Sequence, residues 1–218
     1  MRSGAADKRY SLTVTTIMRS FDSSSNAEIM LGVKLRGQVH LEVKSDIEHA
    51  YTLAKSIKHP WYRCQALAQV ADHSPPSTTH SILEESFKSA MECHDENRRV
   101  SVGCFPLEAA LRHNFMDLVT VFLQGCISQI SHEMDPISKW CCVDVVHIIK
   151  TNTSLLDEFY KTFVNATSQG HGWRVERDIE YLLSDPDVKK NQKYIEYLSA
   201  RKNSIHEWKR DNAKTKNS

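Results

Sequence analysis

From Asp46 onward, apolar residues return at every third or fourth position, and prolines cut the run into lengths that suit only short helices. Ile47, Ala50, Tyr51, Ala54 and Ile57 share one helical face. His59-Pro60 ends that helix, because the residue before a proline is pushed out of the α region, while Pro60 fits the first turn of the next one. This second helix carries Cys64, Leu67, Ala68 and Ala71 on one face. Ser74-Pro-Pro-Ser-Thr-Thr is a terminator and loop, and Ile82, Leu83, Ser86, Phe87 and Ala90 mark the packing face of a third helix. Helices this short are marginal alone, so the pattern requires them to pack on one another.

The pattern recurs around basic residues. Ala54 and Ala50 lie nine and thirteen positions before Arg63, with Ala66, Leu67, Val70 and Ala71 after it. Around Arg99 the equivalents are Ala90 and Ser86, then Val102, Gly103, Pro106 and Leu107. Around Lys139 they are Ile130 and Cys126, then Cys142, Val143 and Val146, and Arg174 stands as a fourth marker. Separations of 36, 40 and 35 residues suit a helix–turn–helix repeat in which stacked pairs share one core. The stretch AYTLAKSIKHPWYRCQALAQVA, with Arg63, Ala66, Leu67, Val70 and Ala71 in an R-x-x-A-L-x-x-[IV]-A helix, resembles degenerate tetratricopeptide-like repeats, and HEAT-like repeats equally. The resemblance covers one repeat well and extends over 46–184 at most; it lacks the Trp…Leu-Gly…Tyr series of the full tetratricopeptide pattern. It implies an α-solenoid whose concave face binds a peptide or protein.

The ends differ from this middle. Residues 1–25 read as a flexible polar segment. Over 9–44, which takes in most of the strand or helix addition at 26–45, two readings compete. Tyr10, Leu12 and Val14, then Val33, Leu35, Val39, Leu41 and Val43, alternate with polar residues or glycine as in a half-exposed strand, with Arg36-Gly37 as a turn. NAEIMLGVKLRG also fits a helix with Ile29, Met30, Val33 and Gly37 on one face. The alternation favours a short β-hairpin near the N-terminus. After the repeat domain at 46–184, Asp185-Pro186-Asp187 opens an amphipathic helix over 185–209 bearing Val188, Ile195, Leu198 and Ile205, followed by a polar tail, 210–218, expected to be disordered. The expected fold is therefore mainly α, built of stacked antiparallel helix pairs in an α-α superhelix.

Motifs that backbone geometry demands of nucleotide-binding and hydrolytic sites are absent: G-x-G-x-x-G, G-x-x-x-x-G-K-[ST] and G-x-S-x-G do not occur. Cys93-His94 with Cys104 and His113 follows no metal-ligand spacing, so neither metal nor cofactor is expected. The six cysteines sit in apolar helical runs and read as reduced core thiols, which points to the cytoplasm. Cys64, in a first turn beside Arg63, has the setting of a reactive thiol, but its place on the apolar face favours an inert one. No apolar run is long enough to span a membrane.

A net charge of +1 excludes a globally cationic nucleic-acid binder, yet residues 185–218 hold nine Lys and Arg against five acids. Candidate partner-binding residues are Trp61 and Trp173, at helix breaks, and Arg63, Arg99, Lys139 and Arg174, which a regular stack would align as a cationic edge for acidic peptides. Pairing of these cations with Glu84, Glu85, Asp95, Glu96, Glu176 and Asp178 is the competing reading, and the local abundance of acids favours it. The function expected is that of a non-enzymatic scaffold or adaptor for a protein or peptide. The alternative is binding of nucleic acid or another anionic partner through the basic C-terminal helix, and a third is an enzyme with a Cys/His site.

Overall fold

Local capping chemistry sets the helix starts. The structure is a computed structural model that describes residues 25–132, 141–169 and 173–215. Helix α1 (Asn26–Glu42) opens with a capping box in which Ser25 and Glu28 satisfy each other's backbone amides. Asp46 caps α2 (Ile47–Ser56) by accepting from the His49 amide. Pro60 and Pro76 take the first positions of α3 (Pro60–His73) and α4 (Pro76–Met91), where a missing N–H costs nothing. Asp95 caps α5 (Glu96–Arg112), and Asn114, at φ 58°, turns the chain into α6 (Met116–His132). Helices α7 (Cys141–Ile149), α8 (Thr153–Gln169) and α9 (Trp173–Ser184) follow, then a 3-10 turn at Val188–Lys190 and α10 (Gln192–Thr215).

Among the described residues there is no strand, so the expected hairpin is not formed there. Val33, Leu35, Val39 and Leu41 belong to α1, with Val43 as its C-cap, and Arg36-Gly37 lies inside the helix instead of at a turn. The capping box starts a helix that buries Gly32, Val39 and Val43 against its neighbours, and this tertiary contact overrides the β-branched alternation. Tyr10, Leu12 and Val14 lie outside the described residues. At the other end, the Asp185 carboxylate accepts from the Asp187 amide at 2.8 Å and closes a turn, which delays the last helix to Gln192. That helix continues past Lys209 to Thr215, so the polar stretch begins as helix.

Connections of two to four residues join most successive helices, and most helices so joined pack on each other. Contacts also run between alternate helices: α1, α3, α5, α7 and α9 touch in succession, as do α4, α6, α8 and α10. The first row is the more closely packed. Within α3, α5 and α7 only His73 and Arg112 are exposed. One continuous core runs from Val39 to Ile205 and includes Leu67, Leu83, Leu107, Phe122, Leu123, Ile149 and Phe159. The positions nine and thirteen residues before the markers, Ala50, Ala54, Ser86, Ala90, Cys126 and Ile130, are all buried within it. Small side chains there let backbones approach: a Cβ on Gly125 would stand 2.7 Å from the Phe87 ring, which stacks on Phe122 with centroids 4.3 Å apart.

Candidate functional site

Helix α1 has apolar residues on opposite sides because its two sides meet different surroundings. On the inner side Gly32 admits the Tyr62 ring, Val39 and Val43 are buried, and Arg36 Nη1 donates to Gln65 Oε1 at 2.7 Å. On the outer side Met30 is 67% and Leu41 77% exposed, with Val33 also in solvent. Gly37 lies in the same stripe, and a Cβ added there would meet nothing within 4 Å. With about 100° of rotation per residue, Met30, Gly37 and Leu41 fall within about 40° of one another and Lys34 stands about 40° from Met30, while Lys44 follows the Val43 C-cap in the turn after the helix. Both lysines are exposed, and neither has an ion-pair partner among the described residues.

The place of α1 in the stack explains its open side. Helices α3 and α5 each touch the helices before and after them in both rows, whereas α1 touches only α2 and α3 among the described elements.

Arg63 and Arg99 act as tie-bars within the chain. Arg63 Nη1 donates to the carbonyls of Ile57 and Lys58 at 3.3 and 3.4 Å, Nε donates to Ser89 Oγ at 3.0 Å, and Nη2 pairs with Glu92. Arg99 Nε donates to the Cys93 carbonyl at 2.8 Å and Nη2 to that of His94 at 3.4 Å, while Nη1 reaches Gln129 Oε1 at 3.0 Å and Glu96 at 3.7 Å. Each arginine thus holds the carbonyls five and six residues behind it and the C-terminal end of the next even-numbered helix. Trp61 is a core residue, 8% exposed, and its indole Nε1 is buried without a hydrogen-bond partner. Lys139 lies outside the described residues. Trp173 and Arg174 open α9, and their side chains lie outside the described set.

The remaining chemistry-bearing groups hold elements together. Burial pushes the Cys64 and Cys104 thiols far up and that of Cys126 to about 12, and all six cysteines are buried. His80 Nε2 lies 2.8 Å from Asp117 Oδ2, and this hydrogen bond raises the imidazole and lowers the carboxyl while linking α4 to α6. No group of three or more His, Cys, Asp or Glu among the described residues is arranged to hold a metal ion. In the basic C-terminal stretch, Lys193 pairs with Asp157 at 2.5 Å, Lys202 with Glu180 at 2.8 Å and Lys190 with Asp187 at 2.8 Å. No described helix is long and apolar enough to cross a membrane.

The outer face of α1 was within reach of the sequence, since the stripe Met30, Val33, Gly37 is visible at helical spacing. What periodicity could not supply is which apolar face is turned outward. Comparison of the chain with protein-family models, with curated proteins and with solved structures finds no match.

Proposed function

We propose that the chain is a non-enzymatic protein–protein interaction module, an α-α superhelix of the tetratricopeptide-like or HEAT-like kind, whose first described helix is its partner-contacting end. One observation carries the reading: Met30, Val33 and Leu41 stand in solvent along a single side of α1, a side that later helices of the same row cover with neighbours. Full burial of such side chains is worth about 1.5–3 kcal/mol each, which a docking protein would gain. Closer packing along the odd-numbered row supports the superhelix, because a stack with one tighter row bends toward it. That row would form the concave side, yet its inner helices α3, α5 and α7 leave only His73 and Arg112 exposed. A partner is therefore taken at the end of the stack, not in the concave groove that solenoid resemblance implies.

Affinity capture from the native cell, with the full chain and its Met30→Asp/Leu41→Asp variant, tests this. Both positions are exposed, so the variant keeps its circular dichroism spectrum and stability to within about 0.5 kcal/mol per substitution. The wild type recovers a reproducible protein partner and the variant loses it. Recovery of no reproducible partner, or equal recovery by both, rejects the reading.

A further inference from the structure

The charges around the α1 stripe specify what kind of protein fits it, an inference that rests on the interaction reading above. We infer that α1 docks an acidic amphipathic helix of a partner protein. Such a helix lays apolar side chains against Met30, Val33 and Leu41 and seats one of them in the open space at Gly37. Its carboxylates stand opposite Lys34, beside the stripe, and Lys44, just past the C-terminal end of α1. The acids of α1 itself do not supply that counter-charge: Glu28 is engaged in the capping box, and Glu42 pairs with His49 at 3.1 Å.

Charge also argues against nearer occupants. Residues 1–24 carry Arg2, Lys8, Arg9 and Arg19 against Asp7 and Asp22, so this segment would bring cations onto cations. A second copy packed antiparallel about Gly37 would set Lys34 against His40 and Lys44 against Met30, again without a counter-charge. A foreign helix with apolar residues at i, i+3, i+4 and i+7 and glutamate or aspartate beside them supplies both the apolar contact and the counter-charge for Lys34 and Lys44.

Fluorescence anisotropy with two labelled synthetic peptides tests the inference. Both are helix-forming with leucines at i, i+3, i+4 and i+7; one carries glutamates on its flanks and the other lysines. The full chain binds the glutamate peptide, more weakly as salt rises, and does not bind the lysine peptide. The Lys34→Glu/Lys44→Glu variant loses about tenfold or more in affinity for the glutamate peptide and turns its preference to the lysine peptide. Leu41→Asp weakens the binding of the glutamate peptide. Absence of glutamate-peptide binding, equal binding of both peptides, or binding indifferent to these variants overturns the inference. Gain of peptide binding only on removal of residues 1–24 assigns the face to the chain's own terminus, and dimerisation through α1 in sedimentation assigns it to a second copy; either result also overturns it. If the glutamate peptide fails while Met30→Asp/Leu41→Asp still loses a natural partner, the acidic-helix chemistry falls and the interaction reading stands. If that variant loses no partner, both fall.

Discussion

Lys150, just past the end of α7, reaches Asp185, just past the end of α9, with Nζ 2.5 Å from Oδ2 and the two side chains only 18% and 7% exposed. Burial alone would raise the Asp185 carboxyl, but the bonds from Lys150 and from the Asp187 and Val188 amides outweigh it and hold the group below the usual carboxylate range. A carboxyl lowered in this way stabilises the fold at pH values above its unfolded pKa, and the contribution is lost as pH falls below about 4. Lys150→Met leaves the buried carboxylate without its cation and costs about 3 kcal/mol at neutral pH. The deficit shrinks on acidification as Asp185 becomes neutral; denaturant unfolding of both proteins across the pH range measures it. Cys64 shows what sequence position cannot convey. Arg63 does act to lower this thiol, but burial is the larger influence and pushes it up. Depth in the core, not the neighbouring charge, decides its chemistry.

At the scale of an element, two glycines on α1 report its orientation. A Cβ at Gly32 would overlap the ring of Tyr62, which is 2% exposed, whereas a Cβ at Gly37 would meet only open space. Gly32→Ala is expected to destabilise by about 1–3 kcal/mol through overpacking. Gly37→Ala is expected to stabilise by up to about 1 kcal/mol through helix propensity. Thermal unfolding of the pair gives shifts of opposite sign if the face is assigned correctly. The paired arginines make a second element-level case. Arg63→Lys and Arg99→Lys each lose about 1–2 kcal/mol, because an ammonium cannot reproduce a fork that spans two carbonyls and the next helix; chemical denaturation measures the loss. The 36-residue spacing of these arginines was visible in the sequence, as were the burial positions around them, because each repeats a local environment. The helical state of 26–42 was harder to reach. With apolar residues on both an inward and an outward side, no single face stands out, and β-branched residues happen to alternate.

For the whole molecule, helix pairing followed from prolines and apolar spacing, and the described helices bear out a mainly α fold with packed pairs. The two-row arrangement needed tertiary information, because the alternate-helix contacts join residues far apart in sequence. So did the distribution of exposure. The sequence left the marker cations between a binding edge and pairing with local acids, with pairing favoured; Arg63 and Arg99 are engaged in holding loops and helix ends, whereas α1 carries exposed apolar side chains beside Lys34, which has no ion-pair partner among the described residues. The most direct measurement is photo-crosslinking in the native cell, with a photoreactive residue at position 37 of the full chain and, in a separate protein, at Val121, an exposed apolar position on α6. The expected result is an adduct between position 37 and one other protein, mapped by mass spectrometry, with none from position 121. Adducts formed equally from position 121, or no intermolecular adduct from position 37, would contradict a working surface on α1.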